Sequence, residues 1–89
     1  SNAEKLIKNN KSAIDCLISK IDSKASLVIA VEKKLAEKIS AVEMVKEVSN
    51  ILGGKGGGGR ADMAQSGGSS PENSLVAIES LKKYINKKF

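Results

Sequence analysis

All eight glycines of this 89-residue chain fall within one stretch of sixteen, Gly53 to Gly68, and the only arginine, Arg60, stands among them. A glycine in an ordered segment costs roughly 0.5–1 kcal/mol more chain entropy than alanine. A small domain that concentrates glycines therefore needs a main chain that other residues do not permit. Close approach to a ligand is the need this favours. Peptide N–H groups in tight turns form concavities that hold anions, and Lys55 and Arg60 put positive charges at the two ends of the glycine run. Phosphate is the first ligand indicated. The competing reading is a flexible Gly/Ser linker. It leaves unexplained the Asp62-Met63-Ala64-Gln65 insert between two glycine clusters and the helix signals on both sides.

The other residues are sized for one domain with a small core. Ser1-Asn2-Ala3 reads as a tag remnant and the chain does not start with Met, so residues 4–89 are expected to be one domain cut from a longer protein. The longest apolar run, Leu27 to Val31, is far short of the roughly 20 residues that span a bilayer. A soluble, cytoplasmic protein without membrane contact is expected. Fifteen basic residues against ten acidic give a net charge of +5, which favours an anionic partner such as RNA. Charges alternate in sign between Val31 and Asn50, as on a solvated helix face. The excess lies near the N-terminus, in the glycine segment and at Lys82, Lys83, Lys87 and Lys88. The lysine tail equally suits a last helical turn that complements the helix dipole.

Along the chain, Glu4 to Asn9 (residues 4–10 at most) reads as the end of a helix continuing from upstream. Ile14, Cys16 and Ile18 alternate with polar residues as in a strand, and Leu27 to Val31 reads as a strand covered on both faces. Asp22-Ser23-Lys24 joins the two as a hairpin. Cys16 is then a core residue rather than a nucleophile. A short helical turn over Glu32 to Ile39 precedes Ser40-Ala41-Val42-Glu43, a capping box with Ile39 and Met44 as its hydrophobic staple. Ala41, Met44, Val45, Val48 and Leu52 form one apolar helical stripe, which Gly53 ends in a left-handed cap. Asp62 to Ser66 would return as a strand beside Leu27 to Val31 through a right-handed crossover. Ser70-Pro71-Glu72 then starts a helix to about Lys87, with Leu75, Ile78, Leu81 and Ile85 inward. The expected fold class is α+β, a two-layer arrangement of a small mixed sheet with helices packed on it and the glycine loop between a helix and a strand.

Several chemistries are excluded by residue type. With no histidine and one cysteine, neither a zinc site nor a Cys-His or Ser-His arrangement can be built, so no catalytic or metal-ligating residue is assigned. Lys55 is followed by Gly56 rather than Ser or Thr, which excludes the P-loop. Gly54-x-Gly56-x-x-Gly59 matches the dinucleotide fingerprint as any polyglycine would. The candidate phosphate-binding set is Gly54, Lys55, Gly56, Gly57, Gly58, Gly59, Arg60, Asp62, Gln65, Gly67 and Gly68. Arg60 brings a forked guanidinium suited to phosphate. Asp62 orients Arg60 or accepts local amides, and Gln65 offers hydrogen bonds to a ribose or base edge. Tyr84 and Phe89 are the only aromatics, so shape and phosphate contacts rather than base stacking are expected to dominate.

The run from Gly53 to Gly68, preceded by the Glu43-to-Leu52 helix, resembles the signature of the C-terminal DHH-associated domain of alanyl-tRNA synthetases. The likeness extends from about Ser26 to Ile85, with Ala61 where that family often has proline. The resemblance implies a non-catalytic, tRNA-binding appendage of an ATP-dependent alanine-tRNA ligase. In such an enzyme it would hold the elbow of alanine-specific tRNA so that one tRNA serves aminoacylation and editing. ATP, magnesium and zinc would belong to upstream centres, as would the helices that make the parent a homodimer. The resemblance leaves open a DHH phosphoesterase or exonuclease, whose glycine cluster is typically followed by a histidine where Arg60 stands, and a free-standing alanyl-tRNA editing protein. A plain interaction module, its lysines serving solubility, is a further alternative.

Overall fold

The computed structural model describes residues 3–8, 14–54 and 57–88. Ala3–Lys8 (β1), Ile14–Ile21 (β2) and Lys24–Val31 (β3) are followed by Lys33–Ala36 (α1) and Ala41–Ser49 (α2). Gly58–Gly59 (β4) and Met63–Gly68 (β5) then lead through a 3-10 turn, Pro71–Asn73, into Ser74–Lys88 (α3). The five strands form one sheet in the order β1-β2-β3-β5-β4.

Residues 4–8 are a strand, not the end of a helix. β1 pairs antiparallel with β2, and an irregularity between Glu4 and Ile7 shifts the register. Its short apolar pair, Leu6-Ile7, has too little periodicity to select a helix, and the free edge of β2 supplies hydrogen-bond partners that no local sequence signal announces. β2 and β3 form the expected hairpin, turning at Asp22, which takes the left-handed conformation (φ 57°) that Asp tolerates better than most residues.

Ile14, Cys16 and Ile18 from β2 and Ala25, Leu27, Ile29 and Val31 from β3 point to one buried side. Helices cover that side alone. Val28 and Ala30 lie half-buried on the other face, so the Leu27-to-Val31 run is one-sided rather than covered on both. Burial pushes the Cys16 thiol from its ordinary 9.0 up to about 12. The thiol is therefore neutral and shielded, and we expect thiol reagents at pH 8 to modify it only as fast as the fold opens. A raised folded-state pKa stabilises fully below about pH 9 and loses that contribution as pH climbs toward 12. An alkaline unfolding series, with reagent trapping of Cys16, checks both statements.

α2 packs its stripe as the spacing requires: Ala41, Met44, Val45, Val48 and Leu52 are all buried with Ile39. Ser40 is the residue before the helix, but its side chain makes no capping bond. The capping box does not form, and a different amide of the first turn, that of Ala41, donates to the Ala61 carbonyl at 2.8 Å. At the other end Gly53 has φ 83°, the left-handed cap, and the Gly54 amide donates back to the Ser49 carbonyl at 2.9 Å.

β5 does lie beside β3, but antiparallel. The right-handed crossover rule governs parallel strands only and has no bearing here. Every strand pairing is antiparallel, so the sheet is not mixed, although the two-layer α+β class stands. The change comes from Gly58–Gly59, which adds a short edge strand and makes the glycine segment a hairpin.

Ser70 likewise does not cap with its side chain and leads into the 3-10 turn ahead of α3. Leu75 is 74% exposed, whereas Ala77, Ile78 and Leu81 are buried and Ile85 packs partly against the core. At about 100° per residue, Leu75 lies roughly 140° from the stripe centred on Ala77 and Leu81.

Candidate functional site

The glycine segment divides into two parts with different work. One part is internal. A Cβ on Gly54 would run into the Gly67 carbonyl, one on Gly68 into the Leu52 carbonyl, and one on Gly57 into the Gln65 carbonyl and the Val45 side chain. The close approach that requires glycine at these three places is met by the chain's own backbone, where the end of α2 lies across β5. Ser49, the one buried polar residue among those described, hydrogen-bonds Ser66 at 2.8 Å within this contact.

The other part is outward. Gly58 would meet nothing within 4 Å, whereas Gly59, exposed at φ 150°, would press a Cβ onto Ala64 and the Met63 carbonyl, and it bends the chain into a tight turn closed by the Arg60 amide on the Met63 carbonyl at 2.7 Å. That turn is fixed to both layers. The Val31 amide donates to the Asp62 carbonyl at 2.8 Å, and the Ala61 carbonyl receives the first amide of α2. Arg60 extends from it 78% exposed, with Nε 3.3 Å from the Asp62 carboxylate, the pairing expected of Asp62. A guanidinium held through Nε still has its terminal nitrogens to offer to an anion.

The expected site residues do not form one cluster. Gly58, Gly59, Arg60 and Gln65 border a groove of about 270 Å³ on the open face of the sheet, with Val28 and Met63 also lining it. Gly67 and Gly68 lie at the far end of β5, about 13–17 Å from its start at 3.3 Å per residue, and Gly54 lies against them. Lys55 and Gly56 are outside the described residues.

Sequence reasoning missed a second depression of about 530 Å³ between α1 and the β4–β5 turn, lined by Lys33, Ala36, Glu37, Arg60, Ala61 and Asp62. It also missed Met63, 49% exposed, as groove lining. Alternation along Met63-Ala64-Gln65 could have placed Met63 outward, since Ala64 is the buried neighbour. No local signal joins Lys33 to Arg60. Among the described residues, no three metal-ligating side chains gather.

The DHHA1 domain model matches residues 1–87. The chain belongs to this family. The DHHA1 domain is 46% identical over 74 residues to the alanine-tRNA ligase of Gluconobacter oxydans, covering 83% of this chain and 8% of that protein. It is 43% identical over 83 residues to that of Paramagnetospirillum magneticum, covering 93% of this chain and 10% of the relative. Its fold superposes on the crystal structure of the C-Ala domain from Aquifex aeolicus alanyl-tRNA synthetase with a TM-score of 0.77 and 38% identity. That match covers 85% of this chain and 68% of the other. The DHHA1 domain thus spans a tenth or less of the curated relatives it matches. None of its helices, among the described residues, is long and apolar enough to cross a membrane.

Proposed function

We propose that this DHHA1 domain is a non-catalytic tRNA-binding module of an alanine-tRNA ligase. It would grip phosphates at the tRNA elbow with the outward part of the glycine hairpin and with Arg60 and Lys55. The observation that carries the reading is the likeness to the C-Ala domain of an alanyl-tRNA synthetase, together with an exposed arginine on a turn pinned to both layers. In the parent enzyme the module would keep one alanine-specific tRNA available to the aminoacylation and editing centres, in the cytoplasm. The parent would be a homodimer through helices outside this chain and would take ATP, magnesium and zinc at its own centres. Arg60 supports the synthetase over a DHH phosphoesterase, in which a histidine follows the glycine cluster. A domain tethered beside its ligand gains effective concentration, so weak intrinsic affinity suffices.

Neutralising three to five phosphates gives a slope of log K against log[salt] of about −2 to −4. Titration of the chain with folded tRNA from about 50 to 200 mM salt should return that slope. A slope near zero would exclude phosphate contact as the source of affinity.

A further inference from the structure

The topology gathers cations at one pole of the molecule that the glycine hairpin alone does not explain. α3 starts beside the end of α2, where the Asn73 side chain donates to the Ile51 carbonyl at 3.0 Å. It then runs back antiparallel, so that the Tyr84 hydroxyl donates to the Glu43 carboxylate, in the first turn of α2, at 3.4 Å. Four residues on, about 6 Å further along the axis, Lys88 reaches back over the Tyr84 ring, its Nζ 5.8 Å from the centroid. The last turn of α3 therefore overhangs the start of α2. α1 ends at that same place, as the Lys38 and Ile39 amides donate to the Leu35 carbonyl just before α2 begins. The Ala61 carbonyl brings in the turn bearing Arg60, and the depression shared by Lys33 and Arg60 joins that turn to α1.

Lys33, Lys34, Lys38, Arg60, Lys87 and Lys88 are thus collected from three separate parts of the sequence, and all six are exposed. Acidic neighbours are fewer: Glu32, Glu37, Glu43, Glu47 and Asp62. Among the described residues the only ion pair is Arg60 with Asp62, so the five lysines have no carboxylate within salt-bridge reach. One or two cations would complement the dipole at the end of α3. The lysines of α1, on a four-residue helix, have no such dipole to serve.

We propose that this pole is a second RNA-backbone contact, in which Lys33 and Lys34 of α1, Lys38 just after it and the lysines of the last turn of α3 hold a stretch of phosphates continuous with the one at Arg60. The inference rests on RNA being the partner of the glycine hairpin. It adds where the strand goes next: from the open face, past the β4–β5 turn, over α1. Long flexible ammonium side chains suit such a track, since they satisfy successive phosphates without fixed geometry.

The test compares four variants of this chain: K33Q/K34Q/K38Q/K87Q/K88Q for the pole, its two-charge subset K33Q/K34Q, K55A/R60A for the hairpin, and K20Q/K24Q at the opposite end, which matches that subset in net charge. Circular dichroism confirms folding, and each is titrated with folded tRNA across salt and footprinted with hydroxyl radicals. We expect the pole variant to lose roughly tenfold or more in affinity at 50 mM salt and about two units of salt slope, equal to two or three phosphates. The protected backbone stretch should shorten at one end, while K20Q/K24Q changes little. The proposal is overturned if the pole variant keeps its affinity and footprint, or if K20Q/K24Q weakens binding as much as K33Q/K34Q does. An unchanged pole variant beside a non-binding K55A/R60A would sink this inference and leave the hairpin reading intact. The reverse would sink the hairpin reading and with it the track continuous with Arg60, leaving the pole as a separate contact. If the pole lysines govern binding to anionic phosphatidylserine vesicles but not to tRNA, the surface belongs to a membrane and the proposal fails.

Discussion

Replacing Lys55 and Arg60 together by alanine should reduce tRNA affinity about 30-fold or more at 50 mM salt without unfolding the domain. Two solvent-exposed contacts, each worth about 1 kcal/mol net, set that scale. The salt slope should lessen by about 1.5 for the two phosphates released. Arg60 is well placed to show this cleanly. It is 78% exposed, so its removal leaves no cavity, while the turn beneath it is held by the main-chain bonds of Ala61 and Asp62, which the substitution spares. Isothermal titration of tRNA into wild type and variant, beside their thermal melts, separates lost contact from lost fold.

The second large effect concerns stability rather than binding, and it divides the glycines. Gly68→Ala would force a Cβ onto the Leu52 carbonyl, and Gly54→Ala would force one onto the Gly67 carbonyl and within 2.6 Å of the Ser49 hydroxyl. Backbone cannot rotate aside as a side chain can. Each should cost about 2–3 kcal/mol or more, which at about 4–8 °C per kcal/mol lowers the melting temperature by roughly 10–20 °C. Gly58→Ala meets open space, and its φ lies outside the left-handed range, so the melt should stay within a few degrees of wild type. If a phosphate approaches the bare main chain at Gly58, the same methyl should weaken tRNA binding. A Gly58→Ala protein that melts early would show that this glycine, too, is structural.

How far the sequence alone reveals this arrangement depends on the range of the interaction involved. The α2 stripe, the β2–β3 hairpin and the left-handed Gly53 are set by residues within a few positions of one another, and they form as their spacing requires. What eluded the sequence is decided at a distance. Residues 4–8 are a strand because β2 offers an edge. Ser40 precedes α2 without capping it, and the first amide of α2 is held instead by Ala61, from another element. Gly58–Gly59 pairs with β5 although glycine is among the weakest strand formers, and with it the expected parallel return becomes a hairpin. The site shows the same division. Arg60 and Asp62 are legible as neighbours in sequence, and their ion pair forms. The internal role of Gly54, Gly57 and Gly68 is not legible, since the carbonyls that crowd them belong to remote residues. Lys33 joins Arg60 only through the meeting of α1 with the β4–β5 turn.

Amide chemical shifts of the labelled domain, followed as folded tRNA is added at low salt, would test most directly whether the hairpin touches RNA. Gly58, Gly59, Arg60 and the Arg60 side-chain resonances should shift first and saturate together, while Gly68 and Ala25 at the far end of the sheet stay nearly fixed. Shifts confined to that far end, with the Gly58-to-Arg60 amides unmoved at saturation, would contradict it.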